Sequence, residues 1–331
     1  MKTAVFGVGA IGGICLASLW ENKQDVVAVA RGYQVEALKE QGLLIDGFGG
    51  KRQARGFFVD TKLTGPVDLA IFAVKTNDLK EVALANKKYL ENAIVLTSQN
   101  GISADYVLAD IFGREKVITG IVMFGATFTG PNFLIQNFPG QYLLGSLFDQ
   151  PLEEKVADIA KLFTDKIDVV YSQRIKAQKH LKLFVNLTNC VPACLGKSMQ
   201  EVFSDLDIAR LAVSLISEAY GVVKGAGIDL VDLPTYPVSR VVSFSKSDEQ
   251  TAKIFSQIML KLSDTPVYGS ILQSIQRGKL SEIDYINGEI VRIAKDSKQP
   301  APLNEKMVSA VHQVEKTKKF FSKEELLAIL T

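Results

Sequence analysis

Apolar residues follow two different patterns along this chain. In the first half, short apolar runs alternate with segments of helical periodicity, and the runs lie at 3–6, 25–30, 68–74 and 93–97. Strands that alternate with helices predict βαβ units, in which a parallel sheet is covered by helices on both faces. From residue 172 onward the pattern predicts helices alone. We therefore expect an α/β domain, residues 1–172, followed by an all-helical domain, residues 173–331.

The pattern changes between residues 117 and 145. Strand-like segments at 119–129, 133–137 and 141–145 are separated by short breaks that contain glycine and proline. Short links of this kind are typical of antiparallel strands. We expect these segments to extend the parallel sheet as antiparallel additions.

The first apolar run is followed directly by a glycine motif. Gly7, Gly9 and Gly12 have the G-x-G-x-x-G spacing, and residues 11–20 continue with helical periodicity. In this context Gly7 permits a tight turn from strand to helix, and Gly9 lets a pyrophosphate approach the backbone. Gly12 lets the helix pack close to the strand. The motif alone is a weak signal, but its place between a strand and a helix predicts a Rossmann-type dinucleotide-binding domain.

Three further residues stand at the ends of predicted strands. Arg31 ends the second strand, where an NAD-preferring site has an acidic residue for the ribose 2′-hydroxyl. A guanidinium can pair with a 2′-phosphate, so Arg31 favours NADP as the cofactor. The alternative is that Arg31 is an ordinary surface arginine. Lys75 and Asn100 each follow a later strand. Both lie at the carboxyl edge of the sheet, where open α/β sheets bind ligands, although loop solvation or helix capping would also explain them.

The helical half contains a lysine in an apolar setting. Lys182 and Asn186 are four residues apart and share one helical face, and Asn189 follows one turn later. Leucine and phenylalanine neighbours indicate that this helix is partly buried. Desolvation lowers the pKa of a lysine toward neutrality, which suits a general acid that donates and recovers a proton. The alternative is a lysine whose ammonium group extends to the surface.

A second candidate lies nearer the C-terminus. Glu282 precedes an apolar stripe formed by Ile283, Ile286, Ile290 and Ile293, and we expect it in the first turn of that helix. An acidic residue there is favourable to the helix dipole. Capping is therefore one interpretation of Glu282, and a functional role is the other.

Composition narrows the class of protein. The 331 residues are 47% hydrophobic and 22% charged, with a formal net charge of +2. This balance is typical of a globular protein and argues against nucleic acid or an anionic membrane as a partner. Three cysteines and two histidines form no metal-binding pattern, and the odd cysteine count favours a reducing compartment. We expect a cytoplasmic protein without a metal, whose apolar start is a strand and not a signal peptide.

Together these motifs resemble the ketopantoate reductase (2-dehydropantoate 2-reductase) family over most of the chain. The matching residues are the glycine motif at 7–12, Arg31, Val74-Lys75, Gln99-Asn100-Gly101, Lys182 to Asn186, Ser270, and the segment from Ser281 to Gly288. The resemblance implies NADPH-dependent reduction of a 2-oxo acid to a 2-hydroxy acid. The expected substrate is 2-dehydropantoate (ketopantoate), which places the reaction in pantothenate biosynthesis.

The resemblance also implies roles for single residues. Lys182 would protonate the carbonyl oxygen, and Glu282 would hold the substrate and the lysine in register. The substrate-binding residues would be Asn100, Asn186, Asn189 and Ser270. The cofactor-binding residues would be Gly7, Val8, Gly9, Ala10, Ile11, Gly12, Arg31, Lys75 and Asn100.

Three positions depart from the family pattern. The family commonly has an asparagine where this chain has Val267, and an aspartate where it has Ser274. Many members have the second helical asparagine one position after Asn189, where this chain has Cys190. All three departures lie in or near the expected substrate side. They leave the identity of the 2-oxo acid open, but not the type of reaction.

Two other functions would use part of the same pattern. A β-hydroxyacid dehydrogenase of the 6-phosphogluconate type also has a helical lysine with an asparagine four residues later. However, residues 117–145 lack its Ser-Gly-Gly segment, and it gives no role to Glu282. A non-catalytic NADP-binding sensor would explain residues 1–115 but not the helical motifs. The favoured function has a small-molecule 2-oxo acid as its partner, with a homodimer as one possible assembly.

Overall fold

The chain folds into two compact units. The structure is a computed structural model that describes residues 1–330. The first unit runs from Met1 to Lys176 and the second begins at Ala177, whereas the sequence predicts a boundary after residue 172. The predicted fold class is confirmed, because the first unit is a Rossmann-type α/β unit and the second is helical.

The first unit alternates strands and helices as far as α4 and consists mainly of strands after it. Its strands are β1 (Thr3–Phe6), β2 (Val26–Val29), β3 (Leu43–Gly47), β4 (Arg52–Ala54), β5 (Phe58–Asp60), β6 (Leu69–Phe72), β7 (Ile94–Thr97), β8 (Val117–Val122), β9 (Gly125–Phe128), β10 (Phe133–Phe138), β11 (Gln141–Gly145) and β12 (Asp168–Tyr171). Its helices are α1 (Ala10–Glu21), α2 (Gly32–Gln41), α3 (Thr76–Asn86), α4 (Ser103–Phe112) and α5 (Glu153–Ala160).

Eight strands form the main sheet, in the order β12-β11-β8-β7-β6-β1-β2-β5. The strands from β8 to β5 are parallel, and β11 is antiparallel to β8. From the central β1 the chain moves first to β2 on one side and later to β6 on the other. The carboxyl end of β1 is therefore the point where the strand order reverses, which is where open α/β sheets bind their ligands.

The expected extension of the main sheet by antiparallel strands is wrong in part. Only β11 joins the main sheet in this way, while β9 and β10 form a separate sheet in the order β4-β3-β10-β9. The physical reason lies in α1, whose residues from Gly12 to Leu19 are all buried. A helix that is apolar all round needs cover on every side. Leu134 of β10 supplies part of it, because a Cβ atom at Gly13 would overlap the Leu134 side chain.

The second unit consists of helices joined by turns and by loops of up to twelve residues. They are α6 (Ile175–Asn186), which crosses the boundary, α7 (Cys190–Leu195), α8 (Met199–Phe203), α9 (Leu206–Gly225), α10 (Val238–Phe244), α11 (Glu249–Leu260), α12 (Ser270–Gln276), α13 (Asn287–Asp296), α14 (Pro302–Thr317) and α15 (Lys323–Leu330). Helix α9 buries an apolar face along its whole length, which makes it the centre of this unit. Across residues 1–330, no helix has the length and apolar character needed to span a membrane.

The C-terminal helix is fixed to the rest of the second unit by charge as well as by packing. The Lys323 ammonium group lies 2.6 Å from Asp205 Oδ2 and 2.8 Å from Asp207 Oδ2 at the start of α9. The Phe321 backbone N–H donates to the Cys194 carbonyl oxygen of α7 at 2.9 Å. Leu326 is fully buried. The segment after Val314 is therefore an integral part of the helical unit.

Candidate active site

The glycine motif forms a tight turn between β1 and α1. Gly7 has φ +90°, which favours glycine, and a Cβ atom there would lie 2.8 Å from the Val74 backbone nitrogen. A Cβ atom at Gly12 would overlap the Gly7 carbonyl oxygen. At Gly9, the residue before α1, no atom lies within 4 Å of the corresponding position. The turn is thus closed where helix and strand pack, and open in front of the helix N-terminus.

This opening fits the pyrophosphate of a dinucleotide. Backbone N–H groups of a first helical turn have no intrahelical partner, and the helix dipole favours an anion there. Gly9 has no side chain to cap α1, and Ala10 and Ile11 are only partly buried. The adjoining Val8 is buried, and its carbonyl oxygen accepts a hydrogen bond from Gln34 Nε2 at 2.7 Å. Gln34 thus supports the turn, and no motif of the sequence singles it out.

Arg31 lies immediately before α2, with its side chain about half exposed. Its guanidinium Nη2 donates to Asp78 Oδ2 at 2.6 Å. Asp78 stands in the first turn of α3, which begins at Thr76. The guanidinium has five N–H donors, so the bond to Asp78 leaves most of them for another anion. Arg31 and Asp78 thus form an ion pair in the region that follows the end of β2.

Lys75 and Asn100 follow neighbouring strands, as their positions in the sequence require. Strands β6 and β7 pair in parallel, with Phe72 opposite Thr97. Between them, the buried Gln99 donates through Nε2 to the carbonyl oxygens of Phe72 at 3.0 Å and Val74 at 2.9 Å. These bonds tie together the two segments that carry Lys75 and Asn100. Both residues are partly exposed at the carboxyl edge of the sheet.

In the second unit, Lys182 and Asn186 lie one turn apart on α6. Burial lowers the pKa of Lys182 to about 8. A lysine ammonium group with such a pKa releases its proton more easily than an ordinary lysine does, which is the property required of a general acid near neutral pH.

Asn189 does not continue α6. The helix ends at Asn186, and residues Leu187–Asn189 form a 3₁₀ turn before α7. Pro192 explains the break, because proline lacks an N–H and its ring clashes with the carbonyl group four residues earlier. The amide groups of the two asparagines still meet, with Asn189 Nδ2 at 3.5 Å from Asn186 Oδ1.

Ser270 begins α12 close to this turn. A Cβ atom at the preceding Gly269 would lie 3.2 Å from Asn189 Cβ and Cγ, so the backbone at Gly269 lies close to the Asn189 side chain. The buried Ser274 hydroxyl donates to the Ser270 carbonyl oxygen at 2.9 Å. At Val267, the carbonyl oxygen accepts the Met199 N–H at 2.9 Å. Val267 and Ser274, two of the positions that depart from the family pattern, therefore form hydrogen bonds that fix the start of α12 and the segment before it.

The expected position of Glu282 in the first turn of an α-helix is wrong. Glu282 precedes a 3₁₀ turn, Ile283–Tyr285, and α13 begins only at Asn287. The backbone at Ile286 has φ −118° and ψ −82°, which interrupts the helical stripe. The Glu282 residue is 5% exposed, and its side chain does not cap the turn. The capping interpretation therefore loses its basis.

A buried polar network links the turn after α6 to the segment after Glu282. Asn287 Nδ2 donates to the Leu187 carbonyl oxygen at 3.1 Å and to Asn304 Oδ1 at 3.0 Å. Asn304 Nδ2 donates in turn to Glu218 Oε1 at 2.8 Å. Asn287 and Asn304 are fully buried. Sequence reasoning misses these residues, although a polar side chain within an apolar helical stripe is the signal that marks them.

The three cysteines are free and buried. Burial raises the pKa of Cys15 and of Cys190 to about 12, so both are neutral thiols at physiological pH. Residues 1–330 bring together no group of three or more histidine, cysteine, aspartate or glutamate side chains that could hold a metal ion.

Comparison with known proteins identifies the class. The chain belongs to the ketopantoate reductase family, because the family model for ketopantoate reductase PanE/ApbA matches residues 3–148 and the model for its C-terminal domain matches residues 174–315. This confirms the resemblance found in the sequence and makes the protein an oxidoreductase.

Individual relatives agree with this class. The 2-dehydropantoate 2-reductase of Pyrococcus horikoshii is 28% identical over 311 residues, which cover 92% of this chain and 94% of the relative. A ketopantoate reductase structure from Ralstonia eutropha has a TM-score of 0.80 at 23% identity, with 96% of this chain and 99% of that chain covered. The fold is also similar to D-mandelate dehydrogenase with NADH and anilino(oxo)acetate, at a TM-score of 0.82, 22% identity and the same coverage.

Two alanine variants separate the structural glycine from the binding glycine. Gly12→Ala should lower the free energy of unfolding by about 1–3 kcal/mol, because the new methyl group overlaps the Gly7 carbonyl oxygen. Gly9→Ala should leave stability within about 1 kcal/mol, since its backbone (φ −96°, ψ −155°) and surroundings accept a methyl group. It should nevertheless weaken nicotinamide nucleotide binding by on the order of tenfold. Thermal unfolding and fluorescence titration measure the two effects, and unchanged binding in Gly9→Ala would place the pyrophosphate elsewhere.

Proposed function

We propose that this protein is an NADPH-dependent reductase of a 2-oxo acid, with Lys182 as the general acid. The favoured reaction is reduction of 2-dehydropantoate to pantoate in pantothenate biosynthesis. The observation that carries the proposal is the partly buried Lys182, whose pKa is lowered to about 8, one turn from Asn186. Family membership over both units supports the same reaction.

The chemistry needs one hydride and one proton. NADPH, when bound, supplies the hydride from C4 of its nicotinamide to the carbonyl carbon of the substrate. Lys182 donates its ammonium proton to the carbonyl oxygen, so that the product is a neutral 2-hydroxyl group, and recovers a proton from solvent afterwards. A positioned proton donor contributes about 10²–10⁴-fold to the rate.

The other candidates orient the substrate. Asn186 and Asn189 offer amide groups next to each other, and Ser270 offers a hydroxyl in the residue after Gly269, whose backbone lies close to the Asn189 side chain. We assign to them the polar groups of the 2-oxo acid. Glu282, which is buried beside a 3₁₀ turn, keeps the substrate and Lys182 in register, and Asn100 at the sheet edge binds near the nicotinamide.

We assign NADP, in preference to NAD, to the first unit. Arg31 follows β2, where an acidic residue would repel a 2′-phosphate, and it keeps N–H donors beyond the one used by Asp78. Lys75 adds a second positive charge at the same edge of the sheet. Asp78 opposes the assignment in part, because its carboxylate would have to share Arg31 with the phosphate.

We infer that the protein works in a reducing compartment, in agreement with the predicted cytoplasmic location, because all three cysteines are free thiols. A homodimer stays a prediction.

A screen of NADPH oxidation across 2-oxo acids tests the function. We expect turnover with 2-dehydropantoate, and the screen includes branched and aromatic 2-oxo acids because Val267 and Ser274 replace polar family residues. A preference for an aromatic 2-oxo acid would keep the reaction but change the substrate. Binding of NADPH without oxidation by any 2-oxo acid would favour the non-catalytic sensor.

Lys182→Met should abolish proton donation while keeping the size of the side chain. We expect kcat to fall by about 10²–10⁴-fold, with NADPH affinity within twofold of the wild-type value. In the wild type, kcat should fall as pH rises through the lysine pKa of about 8, because only the ammonium form donates, and this dependence should vanish in the variant. Lys224→Met, at an exposed lysine of α9, is the matched control. Equal losses in both variants would contradict the role of Lys182.

Arg31→Ala and Asp78→Asn test the cofactor assignment in opposite directions. Arg31→Ala should weaken NADPH binding by on the order of 10–100-fold and NADH binding hardly at all, because only NADPH has a 2′-phosphate. Asp78→Asn should strengthen NADPH binding severalfold, because it releases Arg31 from its 2.6 Å ion pair. Fluorescence titration with each cofactor measures both effects, and equal losses for NADPH and NADH in Arg31→Ala would overturn the assignment.

A further inference from the structure

His312 bridges two carboxylates on different elements of the helical unit. Its Nε2 lies 2.9 Å from Asp284 Oδ1 in the 3₁₀ turn Ile283–Tyr285, and its Nδ1 lies 3.0 Å from Glu315 Oε2 on the same helix, α14. The Glu315 side chain is almost fully buried. A bridge of this kind costs side-chain entropy at three residues, because each side chain is held in one conformation.

The bridge encloses the segment that carries Glu282. The second oxygen of Glu315, Oε1, accepts the Ser281 backbone N–H at 2.7 Å. Ser281 immediately precedes Glu282, and Asp284 lies two residues after Glu282. The segment is therefore fixed on both sides of Glu282 by the same pair of α14 residues, without contribution from an α-helix of its own.

We propose that His312 is a positioning residue for Glu282, acting through Asp284 and Glu315. This inference rests on the proposed function, in which Glu282 holds the substrate and Lys182 in register. His312 touches neither substrate nor cofactor in that function. It determines instead where the carboxylate of Glu282 is held.

The protonation state of the ring decides how firmly the bridge holds. Only the imidazolium form has a proton on both ring nitrogens, so only this form donates to both carboxylates at once. Partial burial lowers the pKa of His312, but the hydrogen bonds and charges of Glu315 and Asp284 outweigh burial and raise it overall. The other titratable groups of this turn are Glu282 and Tyr285, and burial together with the two nearby carboxylates raises the pKa of the Tyr285 phenol.

The sign of the pH effect follows from this shift. A histidine whose pKa is raised in the folded state contributes its full stabilisation below its unfolded-state pKa, near 6.5. That contribution is lost as pH rises through the higher pKa of the folded state. The segment around Glu282 should thus be held best in slightly acidic solution and less well in alkaline solution.

Kinetics of His312→Gln against an adjacent control test the proposal. His312→Gln should lower kcat for the 2-oxo acid by on the order of 10–100-fold, with NADPH affinity within twofold, because a misplaced group costs rate and not cofactor binding. Gln313→Ala, at the next and exposed position of α14, should change neither. The ratio of wild-type to His312→Gln kcat should shrink from about pH 6 to about pH 9, because only the wild type loses the imidazolium bridge over this range. A ratio that does not depend on pH, or an equal loss in Gln313→Ala, would overturn the proposal.

A double-mutant cycle with Asp284→Asn identifies the route. If His312 acts through Asp284, then Asp284→Asn lowers kcat by itself and adds little further loss to His312→Gln. Additive losses would overturn the route through Asp284. Circular dichroism and thermal unfolding, at an assay temperature well below every transition, confirm that the variants are folded.

Direct titration keeps this inference separate from the proposed function. The chain has only two histidines, so comparison with His312→Gln assigns the His312 ring in an NMR titration. A His312 pKa above 6.5, together with a stability difference between wild type and His312→Gln that shrinks with rising pH, supports the bridge. If the wild type reduced no 2-oxo acid, these two measurements would still test the bridge, while the positioning role would fall with the proposed function.

Discussion

Helix α1 has no polar face, and the architecture of the first unit depends on covering it. Its buried residues run without interruption from Gly12 to Leu19, so the helix must pack against protein on every side. The main sheet covers one side and the second sheet, β4-β3-β10-β9, covers another. Even its buried hydroxyl, Ser18, is satisfied, because it accepts the Thr164 N–H at 2.9 Å. The N-terminal end at Gly9 stays open, and an anion gains most from the helix at this end.

The helical unit fixes its candidate site residues by a different means. Of the candidates, Lys182 stands in the regular part of a helix, while Asn189 and Glu282 belong to short turns. Turns cannot hold side chains in place by a continuous backbone ladder. Their backbones are instead bonded to buried polar residues, as Leu187 is to Asn287 and Ser281 is to Glu315. Unsatisfied partners of such bonds are costly in a buried setting, so these networks restrict the turns to one geometry.

The sequence predicts those features that depend on local spacing. The glycine turn follows from the spacing of three glycines, and the carboxyl-edge positions of Lys75 and Asn100 follow from the ends of the apolar runs. The shared face of Lys182 and Asn186 follows from the helical period of 3.6 residues. The helical stripe at Ile283 and Ile286 has the same local appearance, yet the segment is not an α-helix. Hydrogen bonds from α14, far away in the sequence, outweigh helical propensity there, and no local pattern contains them.

The second sheet and the ion pair of Arg31 could not be predicted, because both depend on contacts between segments that are distant in the sequence. Breaks such as Gly130-Pro131 indicate that strands turn back, but not which sheet the strands join. That choice depends on the all-apolar surface of α1, more than a hundred residues earlier in the chain. Asp78 lies in the first turn of α3, where an acidic residue is favourable to the helix dipole. Only the three-dimensional approach of α3 to the end of β2 makes it a partner of Arg31.

Desolvation has opposite chemical consequences in different parts of this molecule. Burial disfavours the charged form of any group, so it raises the pKa of the Cys190 thiol to about 12 and lowers the pKa of the Lys182 amine to about 8. The first shift makes a nucleophilic thiolate inaccessible, while the second brings an amine into the range where proton transfer is reversible at neutral pH. Burial thus keeps the Cys190 thiol protonated and makes the Lys182 ammonium group a stronger acid than that of an ordinary lysine. The residue type sets the sign of the shift, because the ionised form that burial disfavours is the thiolate in one case and the ammonium group in the other.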